Sequence, residues 1–419
     1  MYCCIKYGKL FFILLIFSYL AKAQDTLRVN LQQADSIFIS NSFYLLASSM
    51  NIEAQKAQIL QAKLYPNPNL TAEINGYDIA NNIPLHAGRS GEKTLQLEQL
   101  IRLGGKRKSE IEMAKTNALI AELEFQQLVR QLKFRLRSNL FTIGQQKYLL
   151  SIYNRQLVLL DTLLTTYQTQ SDKGRIPLKD VVRLKGAYLK LNNDRAELLK
   201  GYYAAQADLQ TLLQTKLKID FQFSEEDIKK YIKLVSLSDM EAEALQSRPE
   251  MLIKRQDKVL AEQYLQYQKR LAIPDVNAYV SYDQKGGAFD HQINTGLSVP
   301  LPFWNRNQGN IKTSHFKLKE TEYELQAMET EIVSTLQNTY TFYNQTVTEY
   351  RRATTLYNED FEITVKGMTK NFLKQNVSII EFIDFFEAYN EVLTEITRIK
   401  AELVNSAEQL NLVVGKDIY

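Results

Sequence analysis

The chain has 419 residues, 45% of them hydrophobic, with 51 lysines and arginines against 47 aspartates and glutamates and a formal charge of +4. So even a balance gives no footprint for a nucleic-acid partner. The two cysteines, Cys3 and Cys4, stand at the very start, which excludes a disulfide framework or thiolate metal site from the rest of the chain.

Lys6 and Lys9 precede an apolar run from Leu10 to Leu20, and Ala21-Lys22-Ala23 fits a small-x-small cleavage pattern. Residues 1–23 therefore read as a secretory signal peptide, with Gln24 as the mature N-terminus. No cysteine follows the cleavage point, so no lipid anchor is expected, and no later apolar run of about 18 residues offers a transmembrane helix.

A helix is expected over about 31–64, ending at Pro66-Asn67-Pro68, where the prolines remove donors and disfavour helix. Strands follow over about 68–78 and 92–102. Leu70, Ala72 and Ile74 alternate with Thr71, Glu73 and Asn75, and Leu95 and Leu97 alternate with Thr94, Gln96 and Glu98. Arg102-Leu103-Gly104-Gly105-Lys106-Arg107 then turns strand into helix. No proline occurs between Pro84 and Pro177, and residues rich in Leu, Glu, Gln, Lys and Ala carry a helical hairpin over 106–214. Its turn falls at Gly174-Arg175-Ile176-Pro177. The more charged stretch 215–240 reads as an irregular surface connector.

From 241 the pattern repeats. A helix over about 241–271 leads to strands over about 275–283 and 291–301. There Val276, Ala278 and Val280 alternate with Asn277, Tyr279 and Ser281, and Ile293, Leu297 and Val299 with Gln292, Asn294 and Ser298. Pro300 and Pro302 end the second strand, and Asn305, Asn307 and Gly309 supply turn and cap chemistry beside Arg306. A second hairpin over 308–414 turns near Gln375-Asn376-Val377-Ser378. The stripe Ile111, Ala114, Ala118, Ala121, Phe125, Leu128, Leu132 recurs 200 residues later as Ile311, Ser314, Leu318, Thr321, Leu325, Met328, Ile332. One unit is therefore written twice, over 24–214 and 241–419. The fold class expected is mainly α with a small β part: four strands per chain and long helices of roughly 100 Å packed like antiparallel coiled coils.

The strands have the length of tilted transmembrane strands, with one polar face. Lipid tolerates no open sheet edge. Four strands cannot close, eight give a barrel filled by its own side chains, and three chains with twelve strands are the smallest assembly that leaves a lumen. The loops at about 78–92 and 283–291, with Gly76, Gly88, Gly91, Gly286, Gly287, His86 and His291, would then face outward.

These features are similar to the TolC-type outer-membrane efflux proteins, especially the heavy-metal branch typified by CzcC and CusC. The resemblance rests on Pro66-Asn67-Pro68, Leu103-Gly104-Gly105-Lys106-Arg107, Val299-Pro300-Leu301-Pro302 through Asn310-Ile311, and the two hairpin turns. It implies a homotrimer with a 12-stranded barrel in the outer membrane and a helical barrel crossing the periplasm. The partners implied are a periplasmic membrane-fusion adaptor and an inner-membrane resistance-nodulation-division pump. It places adaptor docking at the tips, Gly174, Arg175, Ile176 and Gln375, Asn376, Val377. It places a pore gate at Glu381 and Asp384, with Asp180 as a latch whose usual basic partner is replaced by Val377. The barrel-to-helix collar falls at Gly104, Gly105, Lys106, Arg107, Pro300, Pro302, Asn305, Arg306 and Gly309, with Lys106 and Arg306 near the inner lipid headgroups.

No enzyme chemistry or cofactor is expected. His86, His291 and His315 are scattered, His315 reading as packed or lumen-facing, and Gly104-Gly105-Lys106 lacks the rest of a phosphate loop. Export of heavy-metal cations is the leading reading. Multidrug export, type I protein secretion, or a periplasmic coiled-coil scaffold without a pore are the alternatives.

Overall fold

The computed structural model describes residues 26–233, 235–285, 289–357 and 359–419. The expected signal segment with Gln24, both cysteines, and Gly286 and Gly287 lie outside them.

In chain order, β1 (Thr26–Val29), α1 (Leu31–Asn41) and α2 (Phe43–Lys63) precede β2 (Asn69–Asp78), β3 (Ile83–His86) and β4 (Lys93–Ile101). Then come α3 (Lys106–Asp172), α4 (Leu178–Leu213), β5 (Lys218–Phe221), α5 (Glu225–Lys229), α6 (Leu237–Ser247) and α7 (Pro249–Leu271). The rest comprises β6 (Val276–Asp283), β7 (Gln292–Ser298), α8 (Gln308–Leu356), α9 (Glu359–Leu373) and α10 (Ile379–Val414). The chain divides into two compact units. One takes the described residues through Leu46, Leu128–Arg248 and Ile332–Tyr419; the other takes Ala47–Gln127 and Pro249–Glu331.

The second unit holds an antiparallel sheet ordered β3-β2-β4-β6-β7. Register runs Leu70–Leu97–Val280–Thr295 and Ala72–Leu95–Tyr282–Ile293 across the strands. Directly paired residues share a face, so these rows form one apolar face, with Ile74, Ala278 and Leu297 beside them. That face is open: Leu70, Ile293 and Leu297 are each about 70% exposed. The rows Glu73–Thr94–Asp283–Gln292, Thr71–Gln96–Ser281–Asn294 and Asn69–Glu98–Tyr279–Gly296 make the opposite, polar face. Among the described residues β7 pairs on one edge only, and β3 covers only the Asn75–Asp78 end of β2.

The first unit is helical around a small parallel ribbon of β1 and β5, Val29 beside Phe221. One core joins both hairpins: Leu149, Leu157 and Leu160 of α3, Leu184 and Leu191 of α4, and Phe382, Phe386 and Leu393 of α10 are all buried. A charged knot lies elsewhere in this unit. Arg137, 8% exposed, donates to Glu408 at 3.1 Å and to Asp35 at 2.8 Å, and the Tyr231 hydroxyl donates to Glu408 at 2.8 Å.

Several expectations need correction. The helix expected over 31–64 breaks at Ser42, whose extended backbone seats Phe38 and Leu45 in the core on either side. The helix expected over 241–271 is two, α6 and α7, parted at Arg248 before Pro249, because the residue ahead of a proline avoids the helical region. The second long helix does not run unbroken to the turn: α8 ends at Leu356 and α9 starts at Glu359. The stretch 215–240 is no loose connector, since it holds β5, a capped α5 and the buried Ile219, Phe221, Ile228 and Tyr231. The loop expected at 78–92 contains β3, an edge strand where Pro84 is tolerated. β7 stops at Ser298, before Val299 and the two prolines.

Candidate functional site

Both hairpin turns lie in the first unit and share one backbone device. After α3, Gly174 has φ +68°; its N–H donates to Ser171 O at 2.8 Å, and the Arg175 N–H donates to Gln170 O at 2.9 Å. After α9, Gln375 has φ +65°; its N–H donates to Phe372 O at 2.9 Å, and the Asn376 N–H donates to Asn371 O at 3.0 Å. Both are left-handed helix caps that satisfy the last carbonyls. Gly174, Arg175, Gln375 and Asn376 are exposed, while Ile176 and Val377 are half-buried and Val377 packs on the apolar core.

The carboxylates beyond the turns have different surroundings. Glu381 accepts the Ser378 N–H at 2.9 Å while the Ser378 Oγ accepts the Glu381 N–H at 3.2 Å, a reciprocal cap on α10. The Ser378 backbone bond, then its hydroxyl, holds the Glu381 carboxyl below the ordinary range. Asp384, one turn on, is exposed and makes no hydrogen bond or ion pair among the described residues. Asp180 stands third in α4, as Glu381 does in α10, and is half-buried. Its charge falls on Tyr167, whose hydroxyl is raised chiefly by burial and further by Asp180. Pro177 gives α4 no side-chain cap.

Where an ion pair between the hairpins was in question, aromatic rings stand instead. Tyr167 of α3 stacks on Phe372 of α9 at 6.0 Å, Phe372 on Phe382 of α10 at 4.1 Å, and Phe382 lies 5.8 Å from Phe386. Lys190 of α4 adds a bond to Glu387 of α10 at 2.9 Å. No local pattern in the sequence announces this stack, because its members come from three helices.

The residues expected to form the collar belong to the second unit. Gly104 and Gly105 both take positive φ, +69° and +73°, and a Cβ on Gly104 would fall 2.8 Å from Ile273 Cδ1. Lys106 is 4% exposed and bonds Asp275 at 2.8 Å, a partner inside the chain. Asp275 also accepts the Leu103 N–H at 2.8 Å, so one carboxylate ties down both ends of the turn. Arg102 pairs with Glu110, which also accepts from Tyr267 at 2.9 Å, and Arg270 donates to Gly105 O at 2.9 Å. Asp275, Glu110, Tyr267 and Arg270 gave no local signal in the sequence. Arg107 lies over the Tyr65 ring at 3.8 Å. In the second collar Pro300 and Pro302 follow β7, and Arg306 is exposed, donating to Pro302 O at 3.2 Å. The Asn307 N–H donates to Asn305 Oδ1 at 3.0 Å, and its side chain donates to Gln268 O at 2.8 Å. A Cβ on Gly309 would meet nothing.

Among the described residues, no three His, Cys, Asp or Glu side chains are grouped to hold a metal, and no helix is long and apolar enough to cross a membrane. His315 is exposed rather than packed, beside the buried Ser314 of the stripe.

Comparison with known proteins places residues 36–215 in the family described as outer membrane efflux protein. The cobalt-zinc-cadmium resistance protein CzcC of Cupriavidus metallidurans is 21% identical over 296 residues, 68% of this chain and 65% of that protein. The matched stretch thus spans less than two thirds of that relative. Among solved structures, a crystal structure of CusC superposes with a TM-score of 0.71 at 16% identity, over 92% of both chains. The Campylobacter jejuni CmeC outer membrane channel gives 0.74 at 12% identity, over 93% of this chain and 87% of that one. At such identities the likeness is one of fold.

Proposed function

We infer that this chain, whose residues 36–215 match the outer membrane efflux protein family, is the outer-membrane channel of an export system and a passive duct rather than an enzyme. The observation that carries this is the β2-β4-β6-β7 sheet, with one face apolar and exposed, the other polar, and open edges at β7 and along most of β2. In water that apolar face is an aggregation hazard. In lipid it is stable once the edges close, and three copies close twelve strands around a polar lumen.

The family likeness supports a homotrimer reaching into the periplasm, a periplasmic adaptor docking at the two turns, and an inner-membrane resistance-nodulation-division pump supplying energy. At the tip, Asp384 is the better gate residue: it is free among the described residues, whereas Glu381 caps its own helix. The CzcC likeness, at 21% identity, favours divalent heavy-metal cations as cargo.

Fractionation tests the reading. A heat-modifiable trimer in outer membranes supports it, whereas a soluble periplasmic protein selects the coiled-coil scaffold. Deletion of the gene should then raise sensitivity to zinc, cobalt or cadmium; raised sensitivity to drugs alone moves the cargo to the multidrug class.

A further inference from the structure

On the polar face of the sheet, Tyr279 of β6 pairs directly with Gly296 of β7. A Cβ placed on Gly296 would fall 2.7 Å from Tyr279 Cε1 and nearer still to Cζ and the hydroxyl oxygen. The tyrosine ring therefore lies flat across the β7 backbone, in space that any side chain at position 296 would occupy. Gly296 takes no left-handed φ, so its backbone places no demand for glycine. A glycine inside a strand forfeits packing and conformational entropy, and the close approach of another group is what explains one. The neighbours of this pair along its row are Glu98 and Asn69, and the rows on either side carry Ser281, Asn294, Asn277 and Ser298. Among the described residues the Tyr279 hydroxyl makes no hydrogen bond, so the shape of the seat rather than a polar bond keeps the ring down.

We propose that Gly296 is a clearance residue of the export lumen: it seats the Tyr279 ring against the wall and so sets the width of the duct at that height. This rests on the barrel reading above. Twelve strands about 4.8 Å apart, tilted near 40°, enclose a backbone radius of about 12 Å, and an upright tyrosine would reach roughly half that distance inward. Three upright rings at one height would obstruct bulky solutes and leave small ones free. Gly296 is thus a positioning residue acting through Tyr279, and the property it controls is the size of cargo admitted.

The full-length protein can be tested in intact outer membranes through a single thiol, since the chain has no cysteine after residue 4. Asn277→Cys places that thiol on the polar face two residues along β6 from Tyr279, away from the β6–β7 loop. A small methanethiosulfonate and a polymer-linked maleimide are added from outside and their labelling rates compared. In the Gly296→Val background the bulky reagent should slow severalfold while the small one holds its rate, and adding Tyr279→Ala should restore the bulky reagent. Equal labelling by both reagents in Gly296→Val, or no restoration by Tyr279→Ala, overturns the clearance role. A thiol that the small reagent cannot reach in otherwise unaltered trimers overturns the barrel reading itself. Trimers on gels verify that each variant assembles.

Discussion

Glu381 and Ser378 hold each other in a reciprocal cap, carboxylate to backbone N–H at 2.9 Å and hydroxyl to backbone N–H at 3.2 Å. A residue expected to guard a pore is thus engaged in starting the helix that lines the tip. Charge and cap can be separated, because glutamine keeps the cap geometry without the charge. Ser378→Ala should destabilise the protein by about 1 kcal/mol, the usual value of such a cap, with cation selectivity in planar bilayers unchanged. Asp384→Asn should leave thermal stability alone and weaken cation preference. An unaltered reversal potential in Asp384→Asn would remove it from the gate.

The same cap carries a pH signature. The Glu381 carboxyl is held low, first by the Ser378 N–H and then by its hydroxyl. A carboxylate lowered on folding contributes stability above its unfolded pKa and loses it as pH falls through the folded value. The melting-temperature gap between wild type and Glu381→Gln should therefore be open at neutral pH and close on the acid side of the ordinary glutamate range. A gap that widens with acid would contradict the sign.

The turns offer a second pair. Gly174 and Gln375 occupy equivalent left-handed positions at φ +68° and +65°. A Cβ on Gly174 would meet nothing within 4 Å, so Gly174→Ala is opposed by backbone strain alone, about 1 kcal/mol. Gln375→Gly should relieve the same strain and stabilise by up to about 1 kcal/mol, less the added freedom of the unfolded chain. Differential scanning of the two variants should give shifts of opposite sign.

The Arg137 knot is a test of buried charge. Burial alone would lower the arginine pKa, but Asp35, Glu408 and Asp417 outweigh it and raise it. Glu408→Leu removes the acceptor nearest the core and leaves a partly compensated guanidinium; breaking such a pair costs about 3–5 kcal/mol. Adding Arg137→Met should recover much of that loss. Denaturant midpoints of the single and double variants measure it, and additive losses would mean that the two groups act independently.

The aromatic stack at the tip predicts a conductance change. Phe372 bridges Tyr167 and Phe382, and Phe372→Ala removes a buried ring whose loss costs about 3–5 kcal/mol where packing cannot recover. If the stack holds the hairpins together, the variant should show higher, noisier single-channel conductance than wild type. Unchanged conductance in a folded trimer would leave the stack a packing feature only.

The sequence by itself determined the parts of this protein that repeat at short range. Alternation in Leu70-Thr71-Ala72-Glu73-Ile74 read as a strand with two unlike faces, and the structure arrays those faces in register across four strands. The stripe through Ala114, Ala118 and Ala121, and through Ser314 and Ile332, is buried because its period matches a helix flank. Proline and glycine at Pro300, Gly104 and Gly174 marked turns through their own backbone limits. What only the tertiary structure decided joins residues far apart. β1 and β5 are four residues each and pair across most of the first repeat, so neither carries a pattern long enough to read. Gln375 sits in a conformation its side chain does not favour, held by the turn around it. Arg137 chose Asp35 and Glu408, and Tyr279 chose Gly296, through packing and register. Short-range periodicity is written in side-chain order; which distant partner completes a buried charge or seats a ring depends on how the chain returns to itself.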